Sequence, residues 1–374
     1  MRYQDIPGLS HVKNHLVKSV QSGKVHHAQL FSGKEGALNL QLALAYAMYL
    51  HCENRTQDAC GTCPACLKSV KHVHPDTHFV FPVSNIKNEK DAEKFKAEIL
   101  KQWRSFLLEE PIGNFDDWTN YYGGENKQAI ISKESSRDII RNLALRPFES
   151  LFKVMIIWKP ESMHASASNG ILKILEEPAN NTVFILVSNA ADQLLPTILS
   201  RTQQIKVPLL SDDELEEELT KRTECDSSKI SKIVQQAEGN LNLALRLTDS
   251  AENGYEETFT NWMRTCYERK YGELVQLAEE FHGYDKLDQK NFLNYSLNSL
   301  REVILELADA GQIHRSRDQE LKFVQDFSKI MSIPKVDKAT RLVNDAGYYL
   351  ERNGSAKMIF LDLSLQLSNI INPK

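Results

Sequence analysis

Three nearly continuous apolar runs limit the possible folds of this chain more than any other feature. Residues 153–158 (Lys-Val-Met-Ile-Ile-Trp) and 182–187 (Thr-Val-Phe-Ile-Leu-Val) show no polar alternation, and residues 28–32 (Ala-Gln-Leu-Phe-Ser) form a shorter run of the same kind. A strand without alternation is buried on both faces. Where such strands are separated by helices, the economical arrangement is a parallel sheet covered by helices on each side. The helical signals are in place. Leu9, Val12, Leu16, Val17 and Val20 recur at helical spacing within residues 6–24 and stop at Gly23. Residues 39–51 predict a strongly apolar helix, 135–145 an amphipathic one, and 165–175 another that stops at Glu176-Glu177-Pro178. Residues 78–83 and 204–207 read as further short strands.

The character of the chain changes at Pro208. Ser211-Asp212-Asp213-Glu214 is a capping box, in which serine and glutamate satisfy each other's free N–H groups. Beyond it no convincing strand appears, only helical periodicity broken at Gly239, Gly254, Gly283, Pro334 and Gly354. A length of 374 residues predicts two or three domains. We expect an α/β domain over 1–208, a small helical domain over 209–250 and a larger helical bundle over 251–374. Residues 84–129 interrupt the α/β rhythm. They are rich in charge and aromatics (Trp103, Phe106, Phe115, Trp118, Tyr121, Tyr122) and read as a helical insert that packs on itself and turns at Gly123-Gly124.

The formal net charge of -5 excludes a strongly basic protein that grips nucleic acid by its own charge. The balance is uneven: residues 1–210 hold 24 Lys and Arg against 21 Asp and Glu, while residues 211–374 hold 21 against 29. Any DNA contact is therefore local or shared with partners. No apolar run is long enough to span a membrane and the N-terminus lacks a secretory core, so the expected location is the cytoplasm.

Four of the six cysteines, Cys52, Cys60, Cys63 and Cys66, fall within fifteen residues. Short Cys-x2-Cys turns, helped here by Gly61 and Pro64, let sulfurs converge on one tetrahedral ion. A structural zinc is the leading reading in a reducing compartment. An iron–sulfur cluster, a redox dithiol and free core thiols are the alternatives. His72, His74 and His78 lie nearby and read as exposed or packing residues, because four cysteines already fill the shell. Cys225 and Cys266 read as ordinary free thiols.

The turn after the first strand departs from working chemistry. A functional phosphate loop, G-x-x-x-x-G-K-[ST], cradles phosphate with backbone N–H groups, meets it with lysine and binds Mg2+ with the hydroxyl. This chain has Gly33-Lys34-Glu35-Gly36-Ala37-Leu38-Asn39-Leu40: the second glycine is Leu38, the lysine Asn39, the hydroxyl residue Leu40. After the strand 153–158, where such ATPases place an acidic pair for Mg2+ and water, it has Trp158-Lys159. Glu161 stands too far along to replace the pair, and Lys34 is at the wrong end of the loop. No bound ATP is expected.

Three further segments carry a resemblance. Val25-His26-His27-Ala28-Gln29-Leu30-Phe31-Ser32-Gly33, Asn169-Gly170-Ile171-Leu172-Lys173-Ile174-Leu175-Glu176-Glu177-Pro178 and Leu194-Leu195-Pro196-Thr197-Ile198-Leu199-Ser200-Arg201-Thr202 resemble, in order and spacing, the AAA+-type clamp-loader subunits of bacterial DNA polymerase III. The segment Glu351-Arg352-Asn353-Gly354-Ser355-Ala356-Lys357 resembles that family's collar domain. A dead phosphate loop beside an intact serine–arginine pair is similar to the delta-prime subunits rather than to the gamma/tau motors. The resemblance implies an AAA+ sheet domain, a helical lid and a helical collar. It implies a place beside the motor subunits and delta in a hetero-pentamer that loads a sliding clamp onto primed DNA. It makes Arg201, with Ser200, an arginine finger supplied to the neighbour's ATP site. A guanidinium there offsets charge on the transferring phosphoryl group, worth about 10³–10⁵ in rate in related systems. The motif's cysteine is Thr202 here. Asn189 falls at a polar sensor position, and Asn242 replaces an arginine that motors carry.

Two competing readings remain at this level. The first is an active AAA+ ATPase with an unconventional loop using Lys34 and Glu161. The second is a zinc enzyme built on the cysteines, such as a nuclease or deaminase; the deaminase pattern needs His-x-Glu before Pro-Cys-x-x-Cys, and that order is absent.

Overall fold

The structure, a computed structural model, describes residues 1–84, 92–124, 128–132, 134, 146–176, 178–179, 181–249, 255–310, 312, 314, 318–352 and 354–373. The chain forms two compact units, Met1–Thr248 and Asp249–Lys374.

In the first unit the apolar runs are the three central strands of a five-stranded parallel sheet. With β1 at Ala28–Ser32, β2 at Thr77–Val80, β3 at Lys153–Trp158, β4 at Thr182–Ser188 and β5 at Gln203–Lys206, the order is β2-β3-β4-β1-β5. Register pairs Ile156 with Ile185 and Leu30 with Leu186. Successive residues feed opposite cores, which is why the runs lack alternation. Val154, Ile156, Trp158, Val183, Ile185 and Val187 pack on one face. Met155, Ile157, Phe184 and Leu186 pack on the other, against Ile171, Leu175 and Ile198.

Element boundaries differ from the sequence reading where backbone chemistry intervenes. Helix α1 is Ser10–Gln21 and starts late, because Gly8 and Leu9 both adopt positive φ (55° and 57°). It ends as expected at Gly23, whose φ of 67° lets Lys24 N–H reach Ser19 O (2.9 Å) and its own N–H reach Val20 O (3.0 Å), satisfying the last carbonyls. Strand β2 stops before Pro82, which has no N–H for a ladder; Val83 makes an isolated bridge to Ile130 instead. Strand β5 begins one residue earlier than expected.

Helix α2 is Asn39–His51 and α3 is Pro64–Val70. The described part of the insert is helical, with α4 at Ala92–Glu109 and α5 at Phe115–Tyr121, and it turns at Gly123 (φ 72°). The expected helix at 135–145, with Glu177, Asn180 and Gly254, lies outside the described residues. The Ser211 capping box forms: Ser211 Oγ accepts from Glu214 N–H (3.2 Å) and Glu214 Oε2 accepts from Ser211 N–H (3.0 Å). It starts helix Asp212–Arg222, followed by Ser227–Ala237 and Leu241–Asp249.

Among its described residues the second unit contains helices and their connections and no strand, from Tyr255–Glu268 to Ala356–Ile371. Its aromatic centre includes Trp262 stacked on Phe360 (4.6 Å) and Phe281 on Phe360 (4.3 Å), with Trp262 Nε1 donating to Ser364 Oγ (2.8 Å). Pro334, expected as a break, lies in the first turn of Ile333–Glu351, where a missing N–H costs nothing. Among the described residues no helix is long and apolar enough to cross a membrane.

Candidate functional site

Ligands of open parallel sheets sit beyond the carboxyl ends of the strands, and the 33–40 turn occupies that place between β1 and α2. The turn is closed. Leu38 and Leu40 are buried in the core beneath it. Asn39, at the lysine position, is also buried; its Nδ2 donates to Ser188 O (3.0 Å) and its Oδ1 accepts from Leu40 N–H (3.2 Å). Both ends of the amide are thus committed inward. The space between the turn and the insert is about 40 Å³, bordered by Phe115, Trp158, Lys159, Asn189 and Asn242. Ligand pockets usually offer at least about 300 Å³.

Trp158 and Lys159, at the end of β3, pack against the insert. The Trp158 ring is buried, 5.0 Å from Trp103 of α4 and 5.8 Å from Phe115 of α5. Lys159 Nζ lies 4.5 Å over the Phe115 ring, a cation–π contact. The insert's aromatics pack on one another and on the strand ends: Trp103 stacks on Phe81 (4.3 Å) and crosses Trp118 (5.0 Å), whose Nε1 donates to Pro82 O (3.0 Å). These rings are structural. Trp103 and Trp118 are fully buried, which removes them as platforms for nucleobases.

Asn189 ties the end of β4 to the phosphate turn, its Nδ2 donating to Gly33 O (3.3 Å) and Lys34 O (3.0 Å). Glu161 reaches the same place from the turn after β3 and accepts from Ser188 Oγ (2.8 Å) and Asn189 N–H (3.4 Å). Lys34 faces elsewhere, lining an open groove of about 840 Å³ with Lys206, Asp192 and Glu214.

Arg201 follows the short helix Pro196–Leu199. It forms an ion pair with Glu176 and donates to Thr197 O (2.9 Å) and Ser200 Oγ (3.4 Å), with its side chain about one-third exposed (33%). Ser200 Oγ itself donates to Thr197 O (3.2 Å). Thr202, at the motif's cysteine position, turns its hydroxyl to Ile198 O (3.1 Å). In the isolated chain the guanidinium is therefore held at the surface by its own helix and by the end of Ala165–Glu176.

The four cysteines converge. Their sulfurs all lie within 4.8 Å of one another, and Cys60 Sγ is 3.9 Å from Cys66 Sγ. A tetrahedral ion with metal–sulfur bonds of about 2.3 Å needs sulfurs about 3.8 Å apart. Cys52 caps the end of α2 and Cys63 the start of α3, where Pro64 fixes the first turn. Sulfur-directed N–H groups favour thiolate: Cys60 N–H points at Cys52 Sγ (3.2 Å) and Cys63 N–H at Cys60 Sγ (3.3 Å). Bonds from the Thr62 and Cys63 backbone bring the Cys60 thiol down to about 6, while burial raises Cys52 and Cys66. The cluster could hold one metal ion. His72 and His74 are buried packing residues, and His74 stacks on His51 at 3.9 Å. Cys266 is buried, which pushes its thiol up to about 12.

Sequence reasoning missed the residues that close the turn from the insert side. Asn114 and Asp117 form a capping box at the start of α5, with Asn114 Oδ1 accepting from Asp117 N–H (3.0 Å) and Asp117 Oδ2 from Asn114 N–H (2.7 Å). The Asn-x-x-Asp spacing was visible; its position over the phosphate turn was not.

The family model described as "DNA polymerase III, delta subunit" matches residues 8–211, more than half of the chain. The DNA polymerase III subunit delta' of Bacillus subtilis is 28% identical over 205 residues, covering 54% of this chain and 49% of that protein. The subunit delta' of Haemophilus influenzae is 24% identical over 258 residues (69% and 65%), and the subunit tau of Escherichia coli 26% over 255 residues (67% and 33%). The matched part is thus less than two thirds of each of these relatives. A DNA polymerase III gamma subunit-related protein from Thermotoga maritima aligns over 94% of this chain and 99% of its own at 14% identity, with a TM-score of 0.41, a loose likeness. The sequence match over the sheet domain identifies the chain as a member of the DNA polymerase III delta subunit family of clamp-loader proteins.

Proposed function

We propose that this chain is a delta-prime-like, non-hydrolysing subunit of a clamp loader, and that it acts on a neighbour's ATP through Arg201. One observation carries the first half: the lysine position of the phosphate turn, Asn39, is buried and bonded to Ser188 O (3.0 Å), beside a space of only about 40 Å³. Mg-triphosphate has no room there, and the lysine of the motif is absent. The second half rests on Arg201 being an exposed-edge arginine after Ser200 in a family of ring-forming subunits. To serve a neighbour it must exchange Glu176 for phosphate, and a surface ion pair of this kind costs only about 0–1 kcal/mol to give up. Glu176 thus holds the guanidinium in reserve.

In this reading residues 1–208 are an AAA+ sheet domain, 209–250 its lid and 251–374 the collar through which subunits assemble. The partners are gamma/tau-type motors and a delta-type subunit, with the sliding clamp and primed DNA engaged by the whole ring. The four cysteines hold a structural zinc, which cross-links α2 to α3 and leaves no open coordination position. An active ATPase using Lys34 and Glu161 is disfavoured, because Lys34 lines the open groove rather than the space beside Asn39, and Glu161 is engaged by Ser188.

The test is Arg201→Ala in a complex reconstituted with motor and delta-type partners. Assembly should be unchanged while DNA-stimulated ATP hydrolysis falls at least tenfold. Normal hydrolysis in an intact complex would remove Arg201 from the account.

A further inference from the structure

The segment Pro111–Asp117 touches three separate parts of the first unit at once. Toward α2, Pro111 O accepts from Gln41 Nε2 (3.1 Å). Toward the end of β3, Phe115 packs on Trp158 and Lys159. Toward helix Leu241–Asp249, Asn242 Nδ2 donates to Ile112 O (3.0 Å) and Asp117 Oδ2 (2.9 Å), and Asn242 Oδ1 accepts from Asn114 Nδ2 (3.3 Å). Arg246, one turn further along that helix, forms an ion pair with Asp117, whose side chain is only 9% exposed. The phosphate turn meets the same helical domain directly, because a Cβ on Gly36 would lie 2.3 Å from the Asn240 side chain.

We propose that Pro111–Asp117 is a built-in substitute for a nucleotide, which clamps the three-helix domain 209–249 onto the sheet permanently. A bound ligand at this junction would bridge the turn, the β3 end and the helical domain, so that the domain's position depends on occupancy. Here the bridge is covalently part of the chain. Its polar contacts are well supplied: Asp117 both caps α5 and receives Asn242 and Arg246, and charge-assisted bonds to a mostly buried carboxylate are the stronger kind. The loss of Mg2+-binding acids at Trp158-Lys159 and the presence of the insert are then one change, since the indole and the lysine are the surface on which the clamp rests. This inference is independent of any role for Arg201.

Hydrogen exchange on the full chain tests it. Arg246→Glu places like charge beside Asp117 and should lower amide protection in Leu241–Asp249 at least tenfold, with β4 protection unchanged. Asn242→Ala should act in the same direction, and Arg246→Lys should retain most of the protection. Millimolar Mg-ATP should leave the unmodified chain's pattern as it is. Three results would overturn the proposal: unaltered protection of Leu241–Asp249 in both Arg246→Glu and Asn242→Ala, equal loss in β4, or added protection of that helix by Mg-ATP.

Discussion

Restoring the phosphate-loop signature should damage this protein rather than reactivate it. Take Asn39→Lys with Leu40→Thr, which returns the lysine and hydroxyl to their motif positions. Asn39 is 3% exposed and its amide supplies a hydrogen bond to Ser188 O; Ser188 is itself fully buried. Removing that donor leaves Ser188 O with the Gly33 N–H alone (3.2 Å), a loss of about 0.5–1.5 kcal/mol. The new ammonium adds a desolvation cost of several kcal/mol unless it bends to water. Leu40 is equally buried, and replacing its side chain by threonine loses apolar burial and adds a hydroxyl, about 2–4 kcal/mol. Because the two sites are adjacent the terms need not add. A combined loss of about 4–7 kcal/mol is the expected scale, a large share of the usual 5–15 kcal/mol. Urea unfolding of the first unit, followed by the burial-sensitive fluorescence of Trp103, Trp118 and Trp158, reads it. The midpoint should fall sharply and Mg-ATP should not restore it. A double variant as stable as the parent, or one stabilised by Mg-ATP, would mean that the turn can accept the motif residues and a nucleotide.

Two further outcomes follow from the cysteine module and from a buried histidine. Elemental analysis should find one zinc per chain, and chelation or Cys60→Ser should lower the first unit's melting temperature, with no change in the helices of the second unit; a metal-free protein of equal stability would contradict a structural site. His72 is lowered to about 4 by burial, then by the N-terminal ammonium and Arg104. The unfolded chain therefore takes up this proton first, so stability is full above about pH 6.5 and declines as pH falls toward 4, by about 3 kcal/mol for this one group. Since His72 has positive φ (55°), His72→Asn suits the backbone, and melting-temperature curves should lose part of their slope between those pH values. An identical slope would show that His72 does not titrate in this window.

Much of the fold was legible because it rests on burial. The strands over 28–32, 153–158 and 182–187 declare themselves by nearly unbroken apolarity, and the sheet places all three at its centre. Ser211–Glu214 and Gly23 were legible because capping and positive φ are local chemistry. Boundaries were less so: Gly8-Leu9 delays α1 by adopting left-handed backbone that no periodicity reveals, and Pro82 ends β2 early. The departure of residues 33–40 from the phosphate-loop signature could be read from Leu38, Asn39 and Leu40. What fills that turn could not. The contacts of Phe115 with Trp158 and of Asp117 with Arg246 link residues 43 and 129 positions apart, and nothing in local spacing encodes such pairings. Nor could the sequence show that Arg201 rests on Glu176, although both belong to motifs visible from the start.

Whether the 33–40 turn can hold a nucleotide is decided by equilibrium dialysis of the unmodified, full chain against millimolar ATP and Mg2+. No bound nucleotide above the non-specific level is expected at any concentration reached. One Mg-ATP per chain, saturable and displaced by ADP, would contradict that expectation.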